Sequence, residues 1–217
     1  MAGYYVVSQG EHVPGIAWAA GFHDYLTVWN HPNNANLKSQ RENPNVLFAG
    51  DRVFLPDREL GQYSRSTDQQ HQFVMKRQLL ELRLTLSDQY EKPIANTPCI
   101  LIVDSKSHNL TSDVQGKIEQ VISHSAKNAT LVIQDSKETP AGGVSIPIKI
   151  GHLDPVEEIS GQQARLRNLG YYSGAIDGQA SDDLDSAMEE FQCENHLIVD
   201  GICGPQTRTK LKSIHGC

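Results

Sequence analysis

The sequence predicts a multidomain α+β protein: a βααβ module, a small antiparallel β-sandwich and a three-helix domain. Three observations predict it. The spacing of apolar residues changes along the chain, from short mixed runs over residues 4–56, to alternation with period two over 79–151, to 3–4 spacing over 152–217. A stretch of low apolar content, Gly61-Gln-Tyr-Ser-Arg-Ser-Thr-Asp-Gln-Gln-His-Gln72, has linker composition. Apolar residues make up 38% and aromatics 6% of 217 residues, which suits several small cores better than one large one. The expected division is 1–57, a linker over 58–78, 79–151 and 152–217.

In the first module, Tyr5-Val6-Val7 reads as a strand and Gly10-Glu11-His12-Val13 as a turn into a helix. Ile16, Ala17, Ala20 and Phe22 supply that helix's apolar face. Tyr25 to Asn30 reads as a second short helix, His31 to Asn45 as a long loop, and Gly50-Asp51…Leu55-Pro56 as a turn and closing strand.

The second module opens with Leu80, Leu82, Leu84 and Leu86 alternating with Glu81, Arg83 and Thr85, as in a half-buried antiparallel strand. Cys99 to Val103 and Ala129 to Ile133 are further strands, and Val144, Ile146, Ile148 and Ile150 alternate again. Turn chemistry separates them at Glu91-Lys-Pro93, Asp113-Val-Gln-Gly116 and Ala141-Gly142-Gly143.

In the third, Leu166 and Leu169 lie on a helix that stops at Gly170. Asp177-Gly178 and Asp200-Gly201 are turn dipeptides ahead of two more helices. Ser181 caps the first of these, with Asp182 and Asp183 in its first turn. Leu184, Ala187, Met188 and Phe191 form its buried face. Pro205 fits as the first residue of the last helix, which runs through Thr207 and Leu211. The two halves are thus a repeat, each an Asp-Gly turn leading into a helix.

Net charge is −7, and 152–217 alone carries five Lys+Arg against eleven Asp+Glu. With no basic tract, neither nucleic acid nor an anionic membrane is an expected partner. No apolar stretch is long enough to cross a bilayer, and Met1-Ala-Gly-Tyr-Tyr-Val-Val-Ser lacks the basic and apolar regions of a secretion signal. The expectation is a protein that is cytoplasmic as made and reaches the periplasm, or a secretion apparatus, by another route.

The C-terminal residues Leu169-Gly-Tyr-Tyr-Ser-Gly-Ala-Ile-Asp-Gly178, Phe191-Gln192 and Val199-Asp-Gly-Ile-Cys-Gly-Pro-Gln-Thr-Arg208 resemble the small helical peptidoglycan-binding domain appended to many bacterial cell-wall hydrolases. That domain binds and does not cut. The resemblance implies a ligand groove near Tyr171, Tyr172, Asp200 and Thr207, with Tyr171 buried and Tyr172 exposed. The first half-repeat departs from the pattern, with Gln179-Ala-Ser-Asp-Asp-Leu184 where the second has Ile202-Cys-Gly-Pro-Gln-Thr207. The βααβ order, with Gly10-Glu-His-Val13 and Gly50-Asp…Leu-Pro56, resembles a LysM domain. The usual turn is Gly-Asp-Thr-Leu, so His12 and Val13 are departures. This resemblance implies a shallow groove for N-acetylglucosamine-containing glycans, lined by Gly10, Glu11, His12 and Val13 on one side and Asn30 and His31 on the other. Pro32, Asn33, Asn34, Leu37, Arg41 and Pro44 resemble a LysM subtype of contractile injection and type VI secretion neighbourhoods. Leu86-Ser-Asp, Lys92-Pro-Ile94 and Thr111 to Ile118 resemble a prealbumin-like or carboxypeptidase-regulatory-like sandwich, a kind that acts as spacer or docking unit.

Few residues offer chemistry. Ile214-His-Gly-Cys217 resembles the His-Gly-Cys of L,D-transpeptidases, but a nucleophilic cysteine needs a base and an oxyanion hole built by surrounding sheet, and none is expected here. Cys193, His196, Cys203, His215 and Cys217 leave three readings open: a zinc site, a Cys193–Cys203 disulfide, or free thiols with two buried. The acidic run Asp182, Asp183, Asp185, Glu189 and Glu190 reads as a solvated helix face rather than a calcium loop. Glu157 and Glu158 precede a helix and suit capping better than a hydrolase pair. Asn109 and Asn128 match glycosylation acceptors with no secretory signal to support their use. No cofactor or metal is expected. The expected function is non-catalytic binding of peptidoglycan, glycan or stem peptide, by two linked sites whose avidity exceeds either affinity. The alternative is an adaptor that docks a secretion-apparatus protein.

Overall fold

The computed structural model describes residues 2–58, 64–72, 79–88, 90, 92–134 and 143–217. Gly61, Gln62 and Tyr63 of the linker, Glu91, and Ala141 and Gly142 of the turn before the last strand lie outside the described residues.

The first module pairs β1 (Gly3–Val6) with β2 (Arg52–Leu55) in an antiparallel ribbon. Between them lie α1 (Val13–Ala19), α2 (Leu26–Trp29), a 3₁₀ turn (Pro32–Asn34) and α3 (Ala35–Arg41). The His12 Nδ1 accepts the Gly15 N–H at 3.1 Å and so caps α1, while Pro14 fills its first turn. Val13, Ile16 and Ala17 form the helix's buried stripe and pack with Val28, Trp29, Leu37, Leu47 and Val53. Ala20 and Phe22 are only half-buried.

The segment 31–45 is therefore not one long loop. Its helix α3 buries a single apolar side chain, Leu37, so it carries no amphipathic stripe to read. Polar groups hold it instead. Arg41 makes a bidentate pair with Asp51 at 2.8 and 2.9 Å. Asn34, 1% exposed, donates to the Val28 and Phe54 carbonyls and accepts the Phe54 N–H, so its amide stands in for a neighbouring strand along β2.

The middle of the chain forms two antiparallel sheets. One pairs β3 (Leu80–Thr85) with β6 (Lys117–Ile122). The other has the order β5-β4-β7-β8, with β4 Pro98–Val103, β5 Lys106–Thr111, β7 Asn128–Ile133 and β8 Val144–Lys149. Both sheets feed one core, in which Leu86, Ile118 and Ile122 meet Cys99, Leu101, Val103, Leu131 and Ile133. The period-two pattern finds β3, β4, β7 and β8. It misses β5, Lys-Ser-His-Asn-Leu-Thr, which has one large apolar residue, and β6, Lys-Ile-Glu-Gln-Val-Ile, whose apolar residues Ile118, Val121 and Ile122 do not alternate strictly. On β8 the alternation overstates burial, since Ile146 is 37% exposed.

The last module holds α4 (Ile159–Asn168), α5 (Asp182–Glu194) and α6 (Pro205–His215). The Ser181 Oγ accepts the Leu184 N–H and caps α5, and Gly170 leaves α4 in the left-handed region at φ 92°. Phe191 and Leu211, both fully buried, pack with Val156, Leu166, Leu184, Ala187 and Met188. Gly161 of α4 lies so close to the preceding backbone that a Cβ there would stand 1.9 Å from the Pro155 carbonyl oxygen. Glu158 occupies the α4 cap position without making a side-chain cap bond, so it does not do the capping its place suggests.

The first module packs against both others. Gln9 donates to the Asp154 carboxylate at 2.9 Å, the Trp18 ring stacks on His124 at 5.2 Å, and Lys212 pairs with Glu42 at 3.1 Å.

Candidate functional site

The helical domain is organised by two copies of one hydrogen-bonded latch. Gln163 on α4 and Gln192 on α5 are both fully buried. The Gln163 carbonyl accepts the Asp177 and Gly178 N–H groups, and its amide donates to the Asp177 carboxylate at 2.9 Å and the Gln179 carbonyl at 3.0 Å. The Gln192 carbonyl accepts the Asp200 and Gly201 N–H groups, and its amide donates to the Asp200 carboxylate at 2.8 Å and the Ile202 carbonyl at 3.0 Å. Each carboxylate also accepts the N–H two residues on, Gln179 or Ile202. These bonds hold both carboxyl groups below the usual Asp range, Asp177 chiefly through Gln163 and Asp200 chiefly through the Ile202 N–H.

The latches change the reading of three expected groove residues. Thr207 is 5% exposed and takes a 3.3 Å bond from the Gln192 amide, so it faces the interior. Tyr172 is 7% exposed, with its hydroxyl donating to the Ala175 carbonyl, so it is core and not the exposed ring of the pair. Tyr171 is the half-buried one, its ring edge-on to Phe191 and its hydroxyl donating to Glu194. The pair is inverted because Gly170 turns the chain back over α4: the Tyr171 and Tyr172 N–H groups both reach the Leu166 carbonyl, which brings Tyr172 against the first latch. Asp200 remains at the surface with its carboxylate engaged.

What lies open beside the second latch is apolar. Ile198 is 74%, Val199 52% and Ile202 66% exposed, flanking Asp200-Gly201. Beside the first latch Ile176 is 46% exposed in the place corresponding to Val199. Sequence reasoning singles out none of these. The signal that finds Ile176 and Val199 is an apolar residue directly before each Asp-Gly turn, off the buried face of any helix.

Burial works against a nucleophilic role for Cys217. All four are free thiols, Cys99 and Cys203 buried, Cys193 exposed and Cys217 between. His215 Nδ1 lies 3.1 Å from the Cys217 sulfur, but burial pushes the Cys217 thiol up and the imidazole down to about 4. Both shifts oppose a thiolate–imidazolium pair. Burial likewise raises Cys203 to about 11. Among the described residues no group of three or more His, Cys, Asp or Glu could hold a metal ion. Beside these residues Arg165 is 1% exposed and donates to the backbone carbonyls of Asp154, Gly161 and Cys217.

The N-terminal candidates fall into two sets with different neighbours. The Val13 N–H donates to the Pro44 carbonyl, so the Gly10–Val13 turn adjoins the loop after α3. Asn30 and His31 sit toward the other end of the β1–β2 ribbon, with the His31 ring 4.8 Å from that of Phe54 and Lys38 donating to Asn30. Val13 and His12 are interior. The Glu11 carboxylate accepts the Tyr5 hydroxyl and the Ser8 N–H. Gly10 has φ 86°, and a Cβ on it would stand 2.6 Å from the His152 Nε2. The turn is thus covered by the segment after β8.

Residues 156–211 match the family described as "Putative peptidoglycan binding domain". The C-terminal module thus carries a domain of this family at residues 156–211. It is 40% identical over 55 residues to an N-acetylmuramoyl-L-alanine amidase, CwlM, of Mycobacterium tuberculosis, and equally to a spore cortex-lytic enzyme of Oceanobacillus iheyensis. Each match covers 25% of this chain, and 14% and 20% of those two proteins. No solved structure matches.

Proposed function

We propose that this protein holds peptidoglycan without cutting it, with the turn Ile198–Ile202 of the peptidoglycan-binding domain as the contact. The observation that carries the reading is the exposed apolar shelf of Ile198, Val199 and Ile202 on a turn that the buried Gln192 holds rigid. A rigid apolar edge beside exposed backbone suits the apolar face of a sugar or the methyl groups of a stem peptide, and ordering it costs little on binding. The non-catalytic part rests on the sequence, where no motif places a nucleophile, a metal-ligand set or a carboxylate pair. Delivery to the periplasm from the cytoplasm belongs to the same reading.

The test is sedimentation with insoluble sacculi. The full chain should pellet at low salt and release no soluble muropeptides. Ile202→Asp should weaken pelleting at least tenfold with an unchanged melting temperature. A wild-type protein that stays in the supernatant, beside a peptidoglycan-binding control that pellets, sinks the proposal.

The covered Gly10–Val13 turn favours a second reading, in which the LysM-like module and the middle sheets dock a protein of a type VI or contractile injection apparatus. In that case Ile202→Asp keeps sacculus binding and pull-down of the apparatus protein depends on the first module.

A further inference from the structure

The seam between the first module and the rest of the chain is lined with imidazoles. His12 lies within it, 5% exposed. Its Cδ2 edge rests on Gly151, where a Cβ would stand 3.2 Å away, and its other edge rests on Gly15. Gly15 in turn lies against the His124 carbonyl, in the turn between β6 and β7. His152 packs on Gly10, and Trp18 is flanked by His124, stacked, and His23, edge-on.

We infer that this seam is an acid-labile clamp: a proton taken up by His12 releases the first module from the middle sheets and the helical domain. The inference concerns how the modules dock and does not rest on the peptidoglycan reading.

The geometry sets the direction. Because His12 Nδ1 accepts the Gly15 N–H, the ring is the neutral tautomer with its proton on Nε2. A second proton can only go to Nδ1. There it removes the acceptor that caps α1 and places a cation at the positive end of that helix. It also places the cation in a nearly closed site, where burial and His124 already lower the affinity of His12 for a proton. Among the charged groups around the ring Glu11 favours the cation, but burial and His124 outweigh it. Glu11, on its own loop, is the nearest carboxylate and is occupied by Tyr5 and Ser8. Asp154, after β8, is shared by Gln9 and Ser160. His124, in the turn between β6 and β7, acts on the ring with the same sign of charge, and His152 lies on Gly10 beside it. A folded-state value below the ordinary one makes docking strongest above the ordinary imidazole range and lost as pH falls through the lowered value. The ring bears on Gly151 across the seam, so the strain acts on the docking contact.

The test is small-angle scattering of the full chain at about pH 7.5 and about pH 5, either side of the ordinary imidazole range, with far-UV circular dichroism alongside. The radius of gyration should rise at the lower pH while the dichroism stays constant. His12→Asn, whose side-chain oxygen can still cap α1 but takes no proton, should stay compact at both. Gln9→Ala, an exposed position that loses the bond to Asp154, should open at higher pH than wild type. The inference is overturned if the wild type keeps one radius of gyration at both values, if His12→Asn opens as the wild type does, or if Gln9→Ala leaves the midpoint unmoved. Should His12→Asn fail to fold, the wild-type and Gln9→Ala profiles decide.

Discussion

The two halves of the peptidoglycan-binding domain share a latch and differ in what surrounds it. Gln163 and Gln192 make the same set of bonds to Asp177-Gly178 and Asp200-Gly201. The first latch is roofed by the Tyr172 ring, whose hydroxyl lies 3.5 Å from the Gln163 amide; the second has only the Thr207 hydroxyl in that place. Of the large apolar residues, the first opens onto Ile176 and the second onto Ile198, Val199 and Ile202. The Asp-Gly dipeptides are therefore architecture in both halves, and any difference in recognition lies in the flanking apolar residues.

The roof gives the sharpest way to break the equivalence. Tyr172→Ala should cost about 3–5 kcal/mol in denaturant unfolding, the range for removing a large buried ring, while the half-buried Tyr171 should cost clearly less. Equal costs would mean that the roof is not part of the latch. Next come the latches themselves. Gln163→Ala and Gln192→Ala should each cost about 2–4 kcal/mol, since each leaves two part-buried N–H groups without their acceptor and opens a void. A much milder Gln163→Ala would show that the first half has lost the latch's structural role.

Thr207→Val should cost only about 0.5–1.5 kcal/mol, one hydrogen bond with shape retained, and should leave sacculus binding intact because the hydroxyl points inward. The smallest effect is with acid. Both Asp177 and Asp200 are held below their ordinary value of 3.8, so the stability they lend is full above that value and is lost as pH falls through the lowered ones. Asp177→Asn and Asp200→Asn should each flatten part of the acid limb of a melting-temperature profile. A limb altered by only one of the two would separate the halves again.

Much of the helical domain was legible because its signals are local. Ser181, Gly170 and Pro205 act at helix ends, and Leu184, Ala187, Met188 and Phe191 repeat at helical spacing. The latches were not legible. Each glutamine reaches a turn at a different distance along the chain, fourteen residues from Gln163 to Asp177 and eight from Gln192 to Asp200, so no fixed spacing reveals them. The tyrosine pair shows the same limit, because which ring goes inside depends on where the chain heads after Gly170. In the first module α3 escaped notice because polar groups hold it, Arg41 on Asp51 and Asn34 on Phe54. The cover over Gly10 comes from His152, far along the chain, and no local pattern carries that.

Arg165 has one further consequence, and it is mechanical. Its guanidinium ties the Asp154 carbonyl, where the chain enters the domain, to the carbonyl of Cys217 after α6, and both to Gly161 on α4. Tension applied to the chain at residue 154, with the domain gripped by a wall, is borne first by these bonds and shared with α4. The helices would feel it only after the guanidinium lets go. Arg165→Met keeps the bulk and removes the tie, and should lower the force at which the domain yields when stretched from its N-terminal side.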